Sequence, residues 1–183
     1  IEIDSNHAMA HNNLGVLLMN YKKDVDGAEA AYRRTIEIDS NHAMAYNNLG
    51  VLLMNHKKDI DGAEAAYRRA IEIDPNYLNA HVCLGVLLMN YSNDVDGAEA
   101  AYYRAIEIDP NDANAHYNLG FLLENHKKDV DGAEAAYRRA IEIDPNHAMA
   151  HFNFGNLLID QKKDVDGAEA AYRRAIKVDP NDA

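Results

Sequence analysis

Two pairs of histidines, His7 with His11 and His147 with His151, stand four residues apart. On a helix that spacing puts both imidazoles on one face, where they could supply half of a zinc site. The neighbouring sequence offers no third ligand, so helix-start and packing roles account for them better. Asp24-Val25-Asp26-Gly27 offers half of a calcium loop, but Lys22 stands where the first carboxylate belongs and Arg33 where the closing Glu belongs. Nucleophiles are scarce. The Ser and Thr hydroxyls are Ser5, Thr35, Ser40 and Ser92, mostly at junctions or turns, and no Lys or Arg accompanies the single Cys83 to stabilise a thiolate. With no Gly-rich phosphate loop and no HExxH pattern, these residues predict no enzyme, no cofactor and no metal centre. What remains is amide chemistry. Asn13, Asn48, Asn118 and Asn153 recur in one register, broken by Cys83, and a row of amides can either hold the backbone of an extended peptide or bond the neighbouring part of the chain.

The register comes from a repeat. Ile-Glu-Ile-Asp begins at Ile1, Ile36, Ile71, Ile106 and Ile141, and returns as Ile-Lys-Val-Asp at Ile176. A unit of 35 residues cannot bury a core alone, so copies must stack, and the functional site is expected on an extended face and not in a cleft. The spacing predicts a single array over 1–183: the tail of a preceding second helix at 1–5, repeats at 6–40, 41–75, 76–110, 111–145 and 146–180, and the start of another at 181–183. Beginning without Met, partway through a repeat, the sequence reads as an excerpt. The 183 residues are 48% apolar and 26% charged, with no long apolar run, which predicts a soluble, folded chain outside the membrane. A net charge of -12 argues against nucleic acid and anionic membrane surfaces as partners. One cysteine excludes an internal disulfide framework and points to a reducing, intracellular compartment, the cytoplasm.

Residues 41–75 serve as the type unit. Asn41 is a candidate N-cap, and Ala45, Leu49, Leu52 and Leu53 follow at helical spacing to give a first helix, helix A. After Asn55-His56-Lys57-Lys58, the run Asp61-Gly62-Ala63-Glu64 has the form of a capping box opening helix B, which runs to about Ile73. Ala63, Ala66, Tyr67, Ala70 and Ile71 make its inward stripe, and Glu64 to Arg68 is a favourable i, i+4 pair outside it. Pro75 stops the helix, with Ser5 and Ser40 at the equivalent junctions.

Asn48-Leu49-Gly50, Ala63, Tyr67, Ala70 and the Asp74-Pro75-Asn76 turn resemble the tetratricopeptide repeat over essentially the whole chain, with the longer Sel1-like repeat as the alternative. The resemblance implies an all-α, right-handed solenoid of stacked helix-turn-helix units, with small Gly50 and Ala63 where the helices approach. Two departures stand out. His11, Tyr46, His81, His116 and His151 replace the family's frequent Trp, and Lys57-Lys58 replaces a single Gly, lengthening the family period of about 34. The carboxylate clamp of some family members needs Lys and Arg on helix A, where none is present, so chaperone-tail binding of that kind is not expected.

Helix B barely varies between copies, whereas helix A varies along one face. On a helical wheel Leu14 and Leu18 face the core, opposite Met9, Asn12, Val16 and Met19, with Asn13 and Asn20 flanking. An uncharged outer stripe points to an interaction surface. Its rows read Met9, Met44, Asn79, Asn114, Met149; then Asn12, Asn47, Val82, Tyr117, Phe152; then Val16, Val51, Val86, Phe121, Asn156; then Met19, Met54, Met89, Glu124, Ile159; with Asn13, Asn48, Cys83, Asn118 and Asn153 along one edge. Met suits a surface that repacks around apolar partners. Tyr117, Phe121 and Phe152 mark the expected hot spot, and Glu124, the one acid, either selects a ligand Lys or Arg or is solvated at the rim. The sequence thus predicts a scaffold that binds a protein or peptide through apolar anchors in the helix A groove. Its rival is a structural array that stacks head to tail through its ends.

Overall fold

The computed structural model describes residues 5–179, with side chains from His7 onward; residues 1–4 of the expected tail and the expected further repeat at 181–183 lie outside the described residues. The described residues form ten helices and no strand: α1 Ser5–Leu17, α2 Val25–Ile38, α3 Ala43–Leu52, α4 Ile60–Ile73, α5 Leu78–Leu87, α6 Val95–Ile108, α7 Ala113–Leu122, α8 Val130–Ile143, α9 Ala148–Leu157 and α10 Val165–Val178. The odd-numbered helices are helix A of each repeat and the even-numbered ones helix B. Two compact units result, Ile1–Ser92 with α1–α5 and Asn93–Ala183 with α6–α10. Within each unit, every helix packs on the next one in the chain, which is the helical-repeat solenoid expected from the period.

Each helix A runs on into one wider π turn: Leu18–Lys22, Leu53–Lys57, Leu88–Ser92, Leu123–Lys127 and Leu158–Lys162. This is how the chain accommodates the additional residue that the sequence assigned to the loop. The following residue is left-handed without being Gly, at φ 56° for Lys23, 59° for Lys58, 50° for Asn93, and 59° for Lys128 and Lys163. In the second repeat the Leu53 carbonyl accepts both the Lys58 N–H and, at 3.1 Å, the Asp59 N–H. Leu18, Leu123 and Leu158 do the same in theirs.

That closure moves the start of helix B. Its N-cap is Asp59, not Asp61: Asp59 Oδ1 accepts the Gly62 N–H at 3.0 Å, and Asp61 falls inside the first turn. The expected capping box with Glu64 is therefore absent. A Cβ on Gly62 would stand 2.3 Å from Asp59 Oδ2, so the cap itself requires glycine there. Helix A is likewise capped one residue later than expected. His42 Nδ1 accepts the Ala45 N–H at 3.3 Å, while the Asn41 N–H donates to Asp39 Oδ1 at 3.0 Å. The same Asx turn recurs at Asp74, Asp109 and Asp144, with Pro or Ser between.

Ala63, Ala66, Tyr67 and Ala70 are buried as the stripe requires, Ile71 only half so, and Glu64 pairs with Arg68 at 2.8 Å. The Tyr67 ring lies over Gly50, where a Cβ would come within 2.7 Å of it. Between hairpins, Lys57 Nζ pairs with Asp26 and, at 3.3 Å, with Glu29 of the preceding repeat. Lys127 repeats this with Asp96 and Glu99, and Lys162 with Asp131 and Glu134. Ser92 breaks the series.

Gly50→Ala is expected to lower unfolding stability by about 1–3 kcal/mol in urea, because the new methyl forces Tyr67 off its neighbour. The Lys162 ammonium holds the Asp131 carboxyl below its ordinary range, so this link is intact above about pH 4 and is lost as the pH falls through the lowered value. The melting temperature of Lys162→Ala should therefore lie slightly below that of the parent at neutral pH and converge with it in acid.

Candidate functional site

The helix A face divides into residues that meet solvent and residues that the next hairpin covers. In the first unit Met9 and Met44 are exposed, and Val16, Val51, Val82 and Val86 are half-exposed. Val16, Met19, Asn48 and Val51 wall a hollow of about 350 Å3, with Tyr32 at its floor and Asn20, Lys23, Leu52 and His56 around it. Four residues expected in the groove thus come together in one concavity.

Other expected groove residues do not reach it. Asn12 is 1% exposed and Asn47 5%. The Asn12 amide donates to the Met44 sulfur at 3.6 Å, and its Oδ1 accepts from Asn48 Nδ2 at 3.0 Å. Met54 and Met89 are buried too, at 7% and 8%. The wheel of one helix marks these positions as outward, but all four are buried. Asn13, by contrast, is exposed.

In the second unit Asn114 is exposed, and Tyr117, Asn118, Phe121, Glu124, Asn153, Asn156 and Ile159 are half-exposed. Tyr117 is less available than its place on the wheel implies. Its ring lies 6.2 Å from Tyr137 and 4.9 Å from His147, and its hydroxyl accepts from Asn153 Nδ2 at 3.1 Å. Glu124 accepts the Tyr137 hydroxyl at 2.8 Å, and in the next repeat Asn156 accepts that of Tyr172 at 2.8 Å. Phe152 is 47% exposed and lies apart from the row of Phe121; with Met149, Tyr172 and Ile176 it walls a separate hollow of about 310 Å3 between α9 and α10.

The edge amides Asn48 and Asn153 are thus taken up by the preceding repeat, through side chains and not its backbone. Where Cys83 interrupts the row, the Asn47 oxygen is buried without a partner, and the Tyr67 hydroxyl has only the Cys83 thiol beside it. Burial pushes that thiol above its ordinary range, against nucleophilic use. The histidines are engaged as well. His147 Nδ1 caps α9 by accepting the Ala150 N–H at 3.2 Å, and His151 Nε2 donates to the Pro145 carbonyl at 3.2 Å, as His81 does to Pro75 at 3.1 Å and His116 to Pro110 at 3.1 Å. These bonds, invisible in the sequence, occupy the family's Trp position. Burial lowers the His151 pKa, which keeps the ring neutral.

Stacked hairpins with a half-exposed apolar face define a helical-repeat protein with the fold of an interaction scaffold. Residues 21–77 and 129–183 match the family model of the tetratricopeptide repeat, and residues 89–127 match a second model described as TPR repeat. The chain belongs to the tetratricopeptide repeat family. No curated protein matches it. Among solved structures it is similar to YrrB, described as a TPR protein with an unusual peptide-binding site, at 26% identity and TM-score 0.70, over 99% of this chain and 91% of that one. MamA from Desulfovibrio magneticus RS-1 shares 18% identity at TM-score 0.77, over 98% of each chain. Pseudomonas aeruginosa pilF shares 18% at TM-score 0.86, over 94% of this chain and 77% of that one. The last two likenesses concern the fold alone. Among the described residues, no helix is long and apolar enough to cross a membrane.

Cys83→Asn should supply Asn47 with the bond that Asn48 gives Asn12. The expected result is a gain of about 0.5–1.5 kcal/mol in urea unfolding.

Proposed function

We propose that the chain is a non-enzymatic scaffold that holds a peptide segment with apolar anchors on the helix A face. The observation that carries this reading is the hollow walled by Val16, Met19, Asn48 and Val51. It is concave, it sets Val16, Met19, Val51 and Leu52 beside the polar Asn20, Lys23, Asn48 and His56, and its walls come from two adjacent repeats. Membership of the family and the likeness to YrrB support it. Phe121 continues the valine row in the second unit as a half-exposed ring, the kind of side chain that dominates binding energy.

The test is a selection of peptides displayed on phage against the whole chain, followed by titration of the winners. Val51→Asp and Phe121→Asp should each weaken binding by roughly 2 kcal/mol or more, with helical circular dichroism unchanged. Undiminished binding by both variants would move the site off this face.

Head-to-tail stacking of copies is a second reading, supported by the hollow of Met149, Phe152, Tyr172 and Ile176 and by the exposed Leu14 and Leu17 on α1. Sedimentation should then show growth with concentration that Ile176→Lys abolishes; a constant monomer removes this reading.

A further inference from the structure

Glu124 is the one glutamate among the described residues that lies outside helix B. It occupies the place of Met19, Met54, Met89 and Ile159 in the other copies. On helix B the glutamates at one shared position have cationic partners: Glu29 with Arg33 at 2.9 Å, Glu64 with Arg68 at 2.8 Å, Glu134 with Arg138 at 2.7 Å and Glu169 with Arg173 at 2.6 Å. Glu124 has none among the described residues. Its Oε2 accepts the Tyr137 hydroxyl, a neutral donor, so the half-buried carboxyl has no counter-charge bonded to it among the described residues.

The surroundings match a cation with an apolar stem. Phe121 stands one turn earlier on the same face and is half-exposed. Asn118, one turn before Phe121, is half-exposed as well. A Lys or Arg side chain is long enough to pack its methylenes on a ring while its head meets a carboxylate, and the ring face itself attracts the cation. The net charge of -12 favours encounter with a basic segment.

We propose that Glu124 and Phe121 form a socket for one Lys or Arg side chain of a peptide held on the α7 and α9 face. This rests on the peptide-scaffold reading and adds the charge of the ligand to it. Free lysine or arginine would lack the flanking apolar anchors, so the socket reads a residue within a segment.

The probes are four pools of fluorescein-labelled peptides, random in Leu, Phe, Ser and Ala, with a central Lys, Arg, Gln or Glu, titrated against the whole chain by fluorescence anisotropy. Lys and Arg pools should bind roughly threefold to tenfold tighter than the Gln pool, with the Glu pool weakest and the preference reduced in molar salt. Glu124→Met, the side chain of three other repeats, should erase the preference, so that the Lys, Arg and Gln pools bind alike. Glu124→Gln, which keeps an acceptor for Tyr137, should do the same, and Glu124→Lys should turn the preference to the Glu pool. Equal binding of Lys and Gln pools by the parent chain, with that binding still lost in Phe121→Asp, overturns the socket and leaves the scaffold reading standing. Binding of no pool at all overturns both.

Discussion

A single carbonyl closes the hairpin in four of the five repeats. The Leu53 oxygen takes the N–H groups of both Lys58 and Asp59, and in doing so it ends helix A with a π turn and forces Lys58 into the left-handed region at φ 59°. A non-glycine residue there costs roughly 1–2 kcal/mol, so the surrounding structure must hold it. It does so through the Asp59 cap on Gly62, which starts helix B at Ile60 and brings Tyr67 down over Gly50. Fixed in this way, helix A has one face against helix B and the opposite face turned outward. The same capping contact recurs in all five repeats, which is why the scaffold can stay constant while the outward face varies.

On the proposed scaffold reading the outward face serves two purposes. Asn12, Asn48, Tyr117 and Asn153 form polar links from one hairpin to the next, and Asn47 beside Cys83 shows what happens where a partner is missing. Stacking and the proposed ligand would therefore compete for the same stripe. What is left for a ligand is narrower than the stripe itself: the valine row with Met19 in the first unit, and Phe121 with Glu124 in the second. Ion pairs such as Lys57 with Asp26 and Glu29 link successive hairpins without using the residues of this row.

Most of the fold was legible because its signals are local. The Ala63, Ala66, Tyr67, Ala70 stripe and the Glu64–Arg68 pair each depend on residues within about two turns, and the period is read by laying the copies side by side. The π turn was not legible, since Lys57-Lys58 carries no mark of a left-handed residue and the surplus residue looked like loop. Neither cap is legible from residue type: Asp59 and Asp61 are the same residue, and Asn41 outranks His42, but backbone closure decides which side chain reaches the amide. The site was half legible. A wheel drawn for one helix cannot know that Asn12 is bonded to the next hairpin, that Asn47, Met54 and Met89 are buried, or that Tyr117 is packed against His147. Those facts arise at long range, between copies.

The central claim is that the constant helices carry the scaffold and the half-exposed row of helix A carries the ligand. Methyl and aromatic chemical-shift mapping with a peptide selected on the whole chain tests this most directly. The account predicts shifts clustered at Val16, Val51, Val86 and Phe121, with the outer faces of α2, α4 and α8 unmoved. Shifts concentrated on those outer faces, around Arg33, Arg68 and Arg138, would contradict it.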